Sequence, residues 1–246
     1  MAHIRISAVT HRGRIRAHNE DGIGCGGWSL RGGAPAEISI EQTVVDPVTV
    51  VVCDGMGGHA GGADASRLAC EMLSAPSELD SAAKPVDRMR ALLQQTSDMI
   101  NDIAEQRPDL RGMGCTAVGV TVYPDGSALV FNVGDSRAYR LEGRYLAQLS
   151  VDHRAPDSNR LQQALGGGLR TVLEPDFFEC VLAPAEDLLL CTDGLNDYAG
   201  AGHIEKAVVA GGPEMLSRLR DLALAGGGGD NISVVRIETI VRGAHG

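Results

Sequence analysis

No apolar run in this sequence approaches the roughly 18 residues that a helix needs to span a bilayer. The first residues, MAHIRISAVTHRGR, also lack the apolar core of a secretion signal. We therefore expect a cytoplasmic protein without a membrane anchor.

The chain also lacks a basic surplus. Lys and Arg together number 22 against 32 Asp and Glu, which gives a formal net charge of −10. An acidic chain repels nucleic acid and anionic membranes, so we expect neither as a partner. The acidic side chains are either spread over the surface or gathered in part around cations.

Short CxxC spacings are absent among the six cysteines. Most of these cysteines lie within apolar stretches, where cysteine behaves as a small buried hydrophobe. We expect neither a zinc site nor a disulfide framework. The cysteines are Cys25, Cys53, Cys70, Cys115, Cys180 and Cys191.

No Pro/Ser-rich linker, charge block or internal repeat divides the chain. Of its 246 residues, 43% are hydrophobic, which is enough to bury a sizeable core. We therefore expect a single domain over residues 1–246.

Strand-like runs occur along most of the chain. VYPDGS lies between two of them and predicts a hairpin turn at Asp125-Gly126. Strands joined by hairpins favour antiparallel sheets, and long helices beside them favour an α+β layered fold. The β-rich runs are VTVVVCD, CTAVGVTVY, SALVFNVGD, DLLLCTD and NISVVRIETI.

Three stretches have helical patterns. PVDRMRALLQQTSDMINDIAEQ, residues 85–106, predicts an amphipathic helix that packs on a sheet. GADASRLACEMLSA and PEMLSRLRDLAL predict two further helices, the second with Pro213 near its start. The predicted apolar face of the long helix comprises Met89, Leu92, Leu93, Thr96, Met99, Ile100 and Ile103.

Aspartates stand at the ends of several β-rich runs. An Asp-Gly pair taken alone is more often a tight turn, and the GGGG stretch at 226–229 is more often a flexible loop. Their joint occurrence with an acidic pair in RIRAHNED predicts carboxylates that converge at one edge of stacked sheets. The candidate cluster comprises Glu20, Asp21, Asp54, Asp135, Asp193 and Asp230.

Carboxylates that lie close together raise one another's pKa, so the cluster needs protons or cations. Oxygen-only ligands select Mg²⁺ or Mn²⁺ over zinc, and a hydrated metal site is suited to hydrolysis. The glycines at Gly55, Gly57 and Gly58 would let a main-chain carbonyl turn toward a metal and let a bulky substrate approach the backbone.

An ordered set of stretches resembles the motifs of the metal-dependent serine/threonine protein phosphatases of type 2C. The set spans most of the chain and is most similar to the bacterial branch, which has Asp-Gly-Met-Gly-Gly at the metal loop. The resemblance implies a four-layer α/β/β/α sandwich, two antiparallel sheets flanked by helices, with metals at one end between the sheets. The stretches are RIRAHNED, VVVCDGMGGHAGGADAS, GCTAVGV, VFNVGDSRAYRL, LSVDHR, LLLCTDGL and GGGGDNISVVRIE.

The resemblance also implies roles for the acidic residues. By this similarity Asp54 bridges two metals, and the Gly55 carbonyl ligates one of them. Asp193 and Asp230 complete the binuclear centre, and Asp135 with Asp193 matches the position that binds a third metal in bacterial relatives.

Three residues of the RIRAHNED stretch receive implied roles as well. Glu20 and Asp21 would contact a metal or its waters. Arg16, four residues before Glu20, matches the arginine that grips the substrate phosphate, a task that suits the guanidinium fork. Arg16 considered alone would be read as an exposed surface arginine.

The implied reaction is hydrolysis of phosphoserine and phosphothreonine in proteins, with two or three Mn²⁺ or Mg²⁺ ions and without a protein nucleophile. A water that bridges the metals would lose its proton and attack phosphorus in line, while Arg16 offsets charge on the phosphoryl oxygens. The expected partners are phosphorylated proteins, including a bacterial serine/threonine kinase.

Two departures from the family pattern stand out. Met56 occupies the position where eukaryotic relatives often have the histidine assigned as general acid, and His59 is a possible substitute or else a solvated side chain. After LSVDHR, the stretch APDSNRLQQALGG predicts a short or missing flap and hence an unusually open site. A different segment, such as the one that carries Trp28, could cover the site, or Trp28 could be a core anchor.

Rival functions remain at this point. A hydrolase of small phosphate esters would share every ligand, and a non-catalytic phosphoprotein-binding sensor would share the fold but normally lack a ligand. A calcium-binding structural protein is disfavoured because the acids are scattered and do not follow EF-hand spacing.

Overall fold

Continuous apolar runs form the centre of two stacked antiparallel sheets in the computed structural model, which describes residues 1–31, 36–57, 60–75, 83–155, 160–168, 170–183 and 186–240. The first sheet has the strand order β11-β10-β14-β15-β1-β4, and the second has the order β13-β9-β8-β5-β2-β3. A small third sheet has the order β12-β7-β6. The strands are β1 His3–His11, β2 Gly22–Cys25, β3 Trp28–Arg31, β4 Ala36–Thr43, β5 Val48–Cys53, β6 Gly55–Met56, β7 Gly114–Cys115, β8 Ala117–Val122, β9 Ser127–Val133, β10 Arg137–Glu142, β11 Tyr145–Gln148, β12 Leu165–Gly166, β13 Asp176–Val181, β14 Asp187–Cys191 and β15 Ile232–Thr239.

Helices cover the outer faces of both large sheets. The helices α1 and α2 pack on the second sheet, where Leu73 and Leu93 meet Val51 and Phe131. The helices α4 and α5 pack on the first sheet. The helices are α1 Ala60–Ser74, α2 Pro85–Gln106, α3 Asp193–Asn196, α4 Ala201–Ala210 and α5 Met215–Ala225, with a 3₁₀ turn at Pro108–Leu110.

A third apolar cluster lies between the two sheets and contains Ile6 and Val235 from the first sheet and Val50 and Val120 from the second. Strands such as β8 are buried along their whole length because one face meets the other sheet and the opposite face meets helices. The predicted four-layer α+β sandwich is therefore confirmed.

The long helix has the predicted bounds, and Pro85 occupies its first turn, where a missing backbone N–H costs nothing. The predicted apolar face is wrong in including Met99, which is 41% exposed. Ser97 and Asn101, which were not predicted to lie on this face, are buried. These two polar side chains accept hydrogen bonds from the backbone N–H groups of residues 166 and 168, so this face packs on a polar turn.

The hairpin predicted at Asp125-Gly126 joins β8 to β9. Asp125 Oδ1 accepts a hydrogen bond from the Ser127 backbone N–H at 2.9 Å, and Gly126 has a φ of +88°. This Asp-Gly pair is a turn, as expected. None of the described helices combines the length and apolar character needed to cross a membrane.

Candidate active site

Strand direction brings the predicted acidic residues to one edge of the sandwich. In the second sheet β5 and β9 both run antiparallel to β8, so they end on the same side, just before Asp54 and Asp135. In the first sheet β14 and β15 are antiparallel, so the end of β14 before Asp193 lies beside the start of β15 after Asp230.

The loop between β1 and β2 reaches the same edge. His11, the last residue of β1, pairs with Ile232, and Gly22, the first residue of β2, pairs with Cys53. The loop 12–21 is therefore closed over the edge where the four aspartates lie. Antiparallel pairing alone thus places the RIRAHNED stretch next to Asp54 and Asp230.

Asp54 leaves β5 at a point fixed by Thr116. The Asp54 backbone N–H donates to Thr116 Oγ1 at 3.0 Å, and the Thr116 N–H donates to the Asp54 carbonyl at 2.9 Å. The following Gly55 must be glycine, because a Cβ there would lie 2.3 Å from the Gly62 carbonyl oxygen and 2.5 Å from that of Glu20.

Glu20 is held by a residue to which the sequence reasoning gave no role. The buried Asn231 accepts a hydrogen bond from the Glu20 backbone N–H at 2.7 Å. Its side-chain NH₂ donates to the Arg12 and His18 carbonyls, both at 2.9 Å. Asn231 therefore ties the whole 12–20 loop to the start of β15, directly after Asp230.

Asp21 is 3% exposed and lies beneath the other acids. Its Oδ2 accepts a hydrogen bond from Thr192 Oγ1 at 3.0 Å, and Thr192 directly precedes Asp193. Among the described residues, its Oδ1 has no hydrogen-bond partner. A buried carboxylate oxygen of this kind is an acceptor that a cation or its bound water would satisfy.

Two arginines pair with the predicted ligands. Arg16 Nη2 lies 2.6 Å from Asp230 Oδ2, and this arginine side chain is 56% exposed. Arg154 contacts Asp135 through Nε and lies 2.6 Å from Asp193 Oδ2 through Nη2. Arg154 is the last residue of the LSVDHR motif, and no role was predicted for it from the sequence.

Three of the carboxylates, Asp21, Asp54 and Asp193, resist ionisation. Burial is the main cause that raises the pKa of Asp54 well above its usual range, followed by the charges of Asp21 and Asp193. Burial likewise raises the pKa of Asp21 to about 7 and that of Asp193 to about 6. The hydrogen bond to Asp230 is the main cause that raises the pKa of Arg16.

These groups line one open cavity of about 1080 Å³. Six of the seven predicted metal-binding residues reach its wall, as does Arg16, whereas Asp21 lies beneath it. Met56 and Tyr198 also line the cavity. His59, the candidate substitute for the missing general acid, lies outside the described residues, as does Gly58.

The donor set fits divalent cations. Every candidate side-chain ligand is a carboxylate, and hard cations such as Mg²⁺ and Mn²⁺ prefer oxygen. Within the described ranges, no three acidic, histidine or cysteine side chains are gathered closely enough to coordinate one ion as they stand. Arg16 and Arg154 pair with three of these acids, so a cation at Asp230 would compete with Arg16 for the Oδ2 atom.

Residues 161 and 162 are tied to the chain beside Arg154. Gln162 N–H donates to the His153 carbonyl at 2.7 Å, and Arg154 forms an isolated bridge with Leu161. Residues 160–164 line the cavity beside the acids. Trp28 lies in the edge strand β3 and packs against the core between the sheets, so it is an anchor of that core.

Comparison with known proteins gives a consistent result. A family model described as Protein phosphatase 2C matches residues 36–221. The serine/threonine phosphatase Stp of Listeria innocua is 32% identical over 255 residues, which cover 93% of each chain. The serine/threonine protein phosphatase PstP of Mycobacterium tuberculosis is 28% identical over 256 residues, which cover 96% of this chain and 45% of that protein.

Solved structures are similar over nearly the whole chain. The S. agalactiae serine/threonine phosphatase has a TM-score of 0.81 at 23% identity and covers 96% of this chain and 100% of its own. The serine/threonine phosphatase Stp1 of Staphylococcus aureus has a TM-score of 0.79 at 26% identity, with coverage of 97% and 95%.

Proposed function

This chain belongs to the protein phosphatase 2C family, and on that basis we propose that it is a metal-dependent enzyme that hydrolyses phosphoserine and phosphothreonine in proteins. The observation that carries this proposal is the meeting of Asp54, Asp193 and Asp230 with Arg16 on one open cavity. The names of the relatives Stp and PstP support the same activity.

In this proposal Asp54, Asp193 and Asp230 hold two divalent cations, together with the Gly55 carbonyl. Cations bound there would supply Lewis-acid activation of water and would neutralise charge on the phosphoryl group. Asp21, bonded to Thr192, orients waters from below, and Glu20 faces the same centre through the loop that Asn231 fixes. Mn²⁺ and Mg²⁺ both suit this donor set.

Arg16 is the proposed phosphate-binding residue. Its side chain is largely exposed and pairs with Asp230 at 2.6 Å, so it can turn from that carboxylate to a phosphoryl group. A guanidinium offers two parallel N–H donors to two phosphate oxygens and keeps its charge at any working pH. Met56 lines the cavity but carries no proton for the leaving oxygen.

The physiological role proposed here is reversal of a serine/threonine kinase in the bacterial cytoplasm, with residues 1–246 acting as one phosphatase domain. The open cavity supports protein substrates: of the described residues between Arg154 and β13, where a flap is expected, those that line the cavity lie within 160–171. An open cavity should select weakly among the sequences around the phosphorylated residue.

The test is hydrolysis of p-nitrophenyl phosphate and a phosphothreonine peptide, with and without Mn²⁺. Wild type should hydrolyse both only with metal, and Asp54→Asn should lose at least about 10²–10³-fold in kcat, the loss typical for one electrostatic group at a reacting centre. Asp125→Asn is the matched control, because it makes the same change in an Asp-Gly turn.

Turnover of p-nitrophenyl phosphate but not of any phosphopeptide or phosphoprotein would favour the small-ester hydrolase. A folded wild type that binds Mn²⁺ but hydrolyses neither substrate would favour the non-catalytic sensor.

A further inference from the structure

Arg154 is the most enclosed cation of the site. Its Nη2 lies 2.6 Å from Asp193 Oδ2, its Nη1 lies 3.5 Å from Asp197 Oδ1, and its Nε contacts Asp135 Oδ2. The Arg154 side chain is 19% exposed, against 56% for Arg16. One guanidinium therefore bridges three aspartates at the wall of the cavity.

The backbone around Arg154 is fixed from both sides. The His153 N–H donates to the Gly134 carbonyl at 2.9 Å, and the Gly134 N–H donates back to His153 Nδ1 at 3.1 Å. This exchange joins the residue before Arg154 to the residue before Asp135. The Ala155 N–H donates to the Arg160 carbonyl at 3.0 Å, which closes the chain on the other side.

Unlike a metal ion, the guanidinium of an arginine is part of the chain and cannot dissociate from the site. It also stays protonated, so its positive charge is permanent. Burial alone would lower the pKa of Arg154, but the hydrogen bond that it donates to Asp135 and the charges of Asp135, Asp197 and Asp193 raise this pKa above its ordinary value. A divalent cation on Asp135 and Asp193 would have to displace this fixed charge or lie against it.

We propose that Arg154 replaces the third metal ion, so that this chain binds two divalent cations where the resemblance allows three. Arg154 neutralises the charge of Asp135 and part of the charge of Asp193. It also anchors the short segment that borders the cavity. The inference rests on the proposed metal-dependent function, but it concerns the number of metals and not the turnover.

The test is Mn²⁺ stoichiometry by equilibrium dialysis with electron paramagnetic resonance of free Mn²⁺, which reads out binding without activity. Wild type should bind two Mn²⁺, and Arg154→Ser should bind three. The double variant Arg154→Ser with Asp135→Asn should return to two, because the carboxylate that the third ion needs is gone.

Two controls separate this effect from general damage. Arg154→Lys keeps a cation and should stay at two Mn²⁺. Arg170→Ser removes an arginine that pairs with Asp102 and Glu105, and it should also stay at two. Circular dichroism checks that each variant is folded. Asp135→Asn as a single substitution should also bind two Mn²⁺, because Asp135 holds no metal while Arg154 is present.

A wild type that binds three Mn²⁺ and loses one with Asp135→Asn would overturn the inference, as would Arg154→Ser that stays at two. Two bound Mn²⁺ without hydrolysis of any substrate would support the inference and overturn the proposed function. A folded wild type that binds no Mn²⁺ would overturn both.

Discussion

Burial and mutual repulsion give Asp54, Asp21 and Asp193 raised pKa values. In the unfolded chain an aspartate has a pKa of about 3.9. The folded protein without metal therefore keeps protons that the unfolded chain has released, so these groups favour unfolding increasingly as the pH rises from about 4 toward 7. Bound cations would remove this penalty.

Asp54→Asn should consequently stabilise the protein in the presence of a chelator while it abolishes activity. We expect a gain of about 2 kcal/mol at pH 8, or about 4–8 °C in Tm for a chain of this size. The gain should be smaller at pH 5, where the wild-type cluster is still partly protonated. Thermal melts in chelator at both pH values measure it.

Asp125→Asn serves as the control for these melts, because Asp125 is exposed and its carboxylate accepts two hydrogen bonds from Ser127. This variant should not be stabilised. A lower Tm for Asp54→Asn than for wild type at pH 8 would contradict the charge-repulsion account.

Sequence reasoning found residues with a chemical signature and missed residues whose role comes from contacts. Asp54 and Asp230 were predicted because a carboxylate beside glycines at a strand end is recognisable in sequence. Asn231 and Arg154 act through loops far away in sequence, as in the bond from Asn231 to the Glu20 N–H. The sequence signals for these two residues were their positions next to Asp230 and His153 in the recognised motifs. Neither position indicates which residue the side chain would contact.

Among the larger elements, the GGGG stretch is a packed connection and not only a flexible loop. A Cβ on Gly226 would lie 1.7 Å from the Tyr198 carbonyl oxygen, and Gly227 has a φ of +127°. The stretch therefore fixes the approach of the chain from α5 to Asp230.

Gly226→Ala should destabilise the protein by about 2–4 kcal/mol, since backbone must move to admit the methyl group. Gly202→Ala is the matched control, because Gly202 lies within α4 and a Cβ on it would have no neighbouring atom within 4 Å. That change should be neutral or stabilising by up to about 1 kcal/mol. Urea unfolding measures both, and equal midpoints would refute the packing argument.

Residues 171–173, which follow the segment that borders the cavity, are held by α2. Gln94 accepts a hydrogen bond from the Leu173 N–H at 2.9 Å and donates to the Thr171 carbonyl at 3.3 Å, whereas the neighbouring Gln95 is exposed. Of the two adjacent glutamines, Gln94 thus contacts residues 171–173, whereas Gln95 faces solvent.

Gln94→Ala should cost about 1–3 kcal/mol because it leaves a backbone donor without its partner, and it should speed tryptic cleavage after Arg160 and Arg170. Gln95→Ala should change neither. The measurement is the cleavage rate by mass spectrometry under native conditions, and identical rates for the two variants would show that Gln94 does not anchor residues 171–173.

At this scale the sequence predicted elements with long apolar runs or a clear helical period, such as β8 and α2, and it predicted the hairpin at Asp125-Gly126. It did not predict β1, whose buried residues alternate with half-buried Arg5 and Ser7. Met99 was misplaced because the face of α2 includes Ser97 and Asn101, which are buried by the turn they bond.

The whole molecule joins two sheets that each bring two aspartates to a shared edge. Neither sheet alone holds the site: Asp54 and Asp135 follow strands of the second sheet, and Asp193 and Asp230 flank strands of the first. The apolar cluster between the sheets holds these pairs together against their repulsion. Cations at this edge should therefore act as a link between the sheets as well as a catalytic centre.

Mn²⁺ should accordingly raise the Tm of the wild type, because a ligand that binds only the folded state stabilises it by mass action. At a concentration of 100 times Kd, one site contributes about 2.7 kcal/mol, or about 5–11 °C for a chain of this size. Asp54→Asn should lose most of this rise, since it removes the proposed bridging carboxylate, whereas Asp125→Asn should keep it. Melts across a Mn²⁺ series measure the shift. A rise in Tm for Asp54→Asn equal to that of the wild type would show that the stabilising ion binds elsewhere. No rise in Tm for the wild type would show that Mn²⁺ does not stabilise the two-sheet fold.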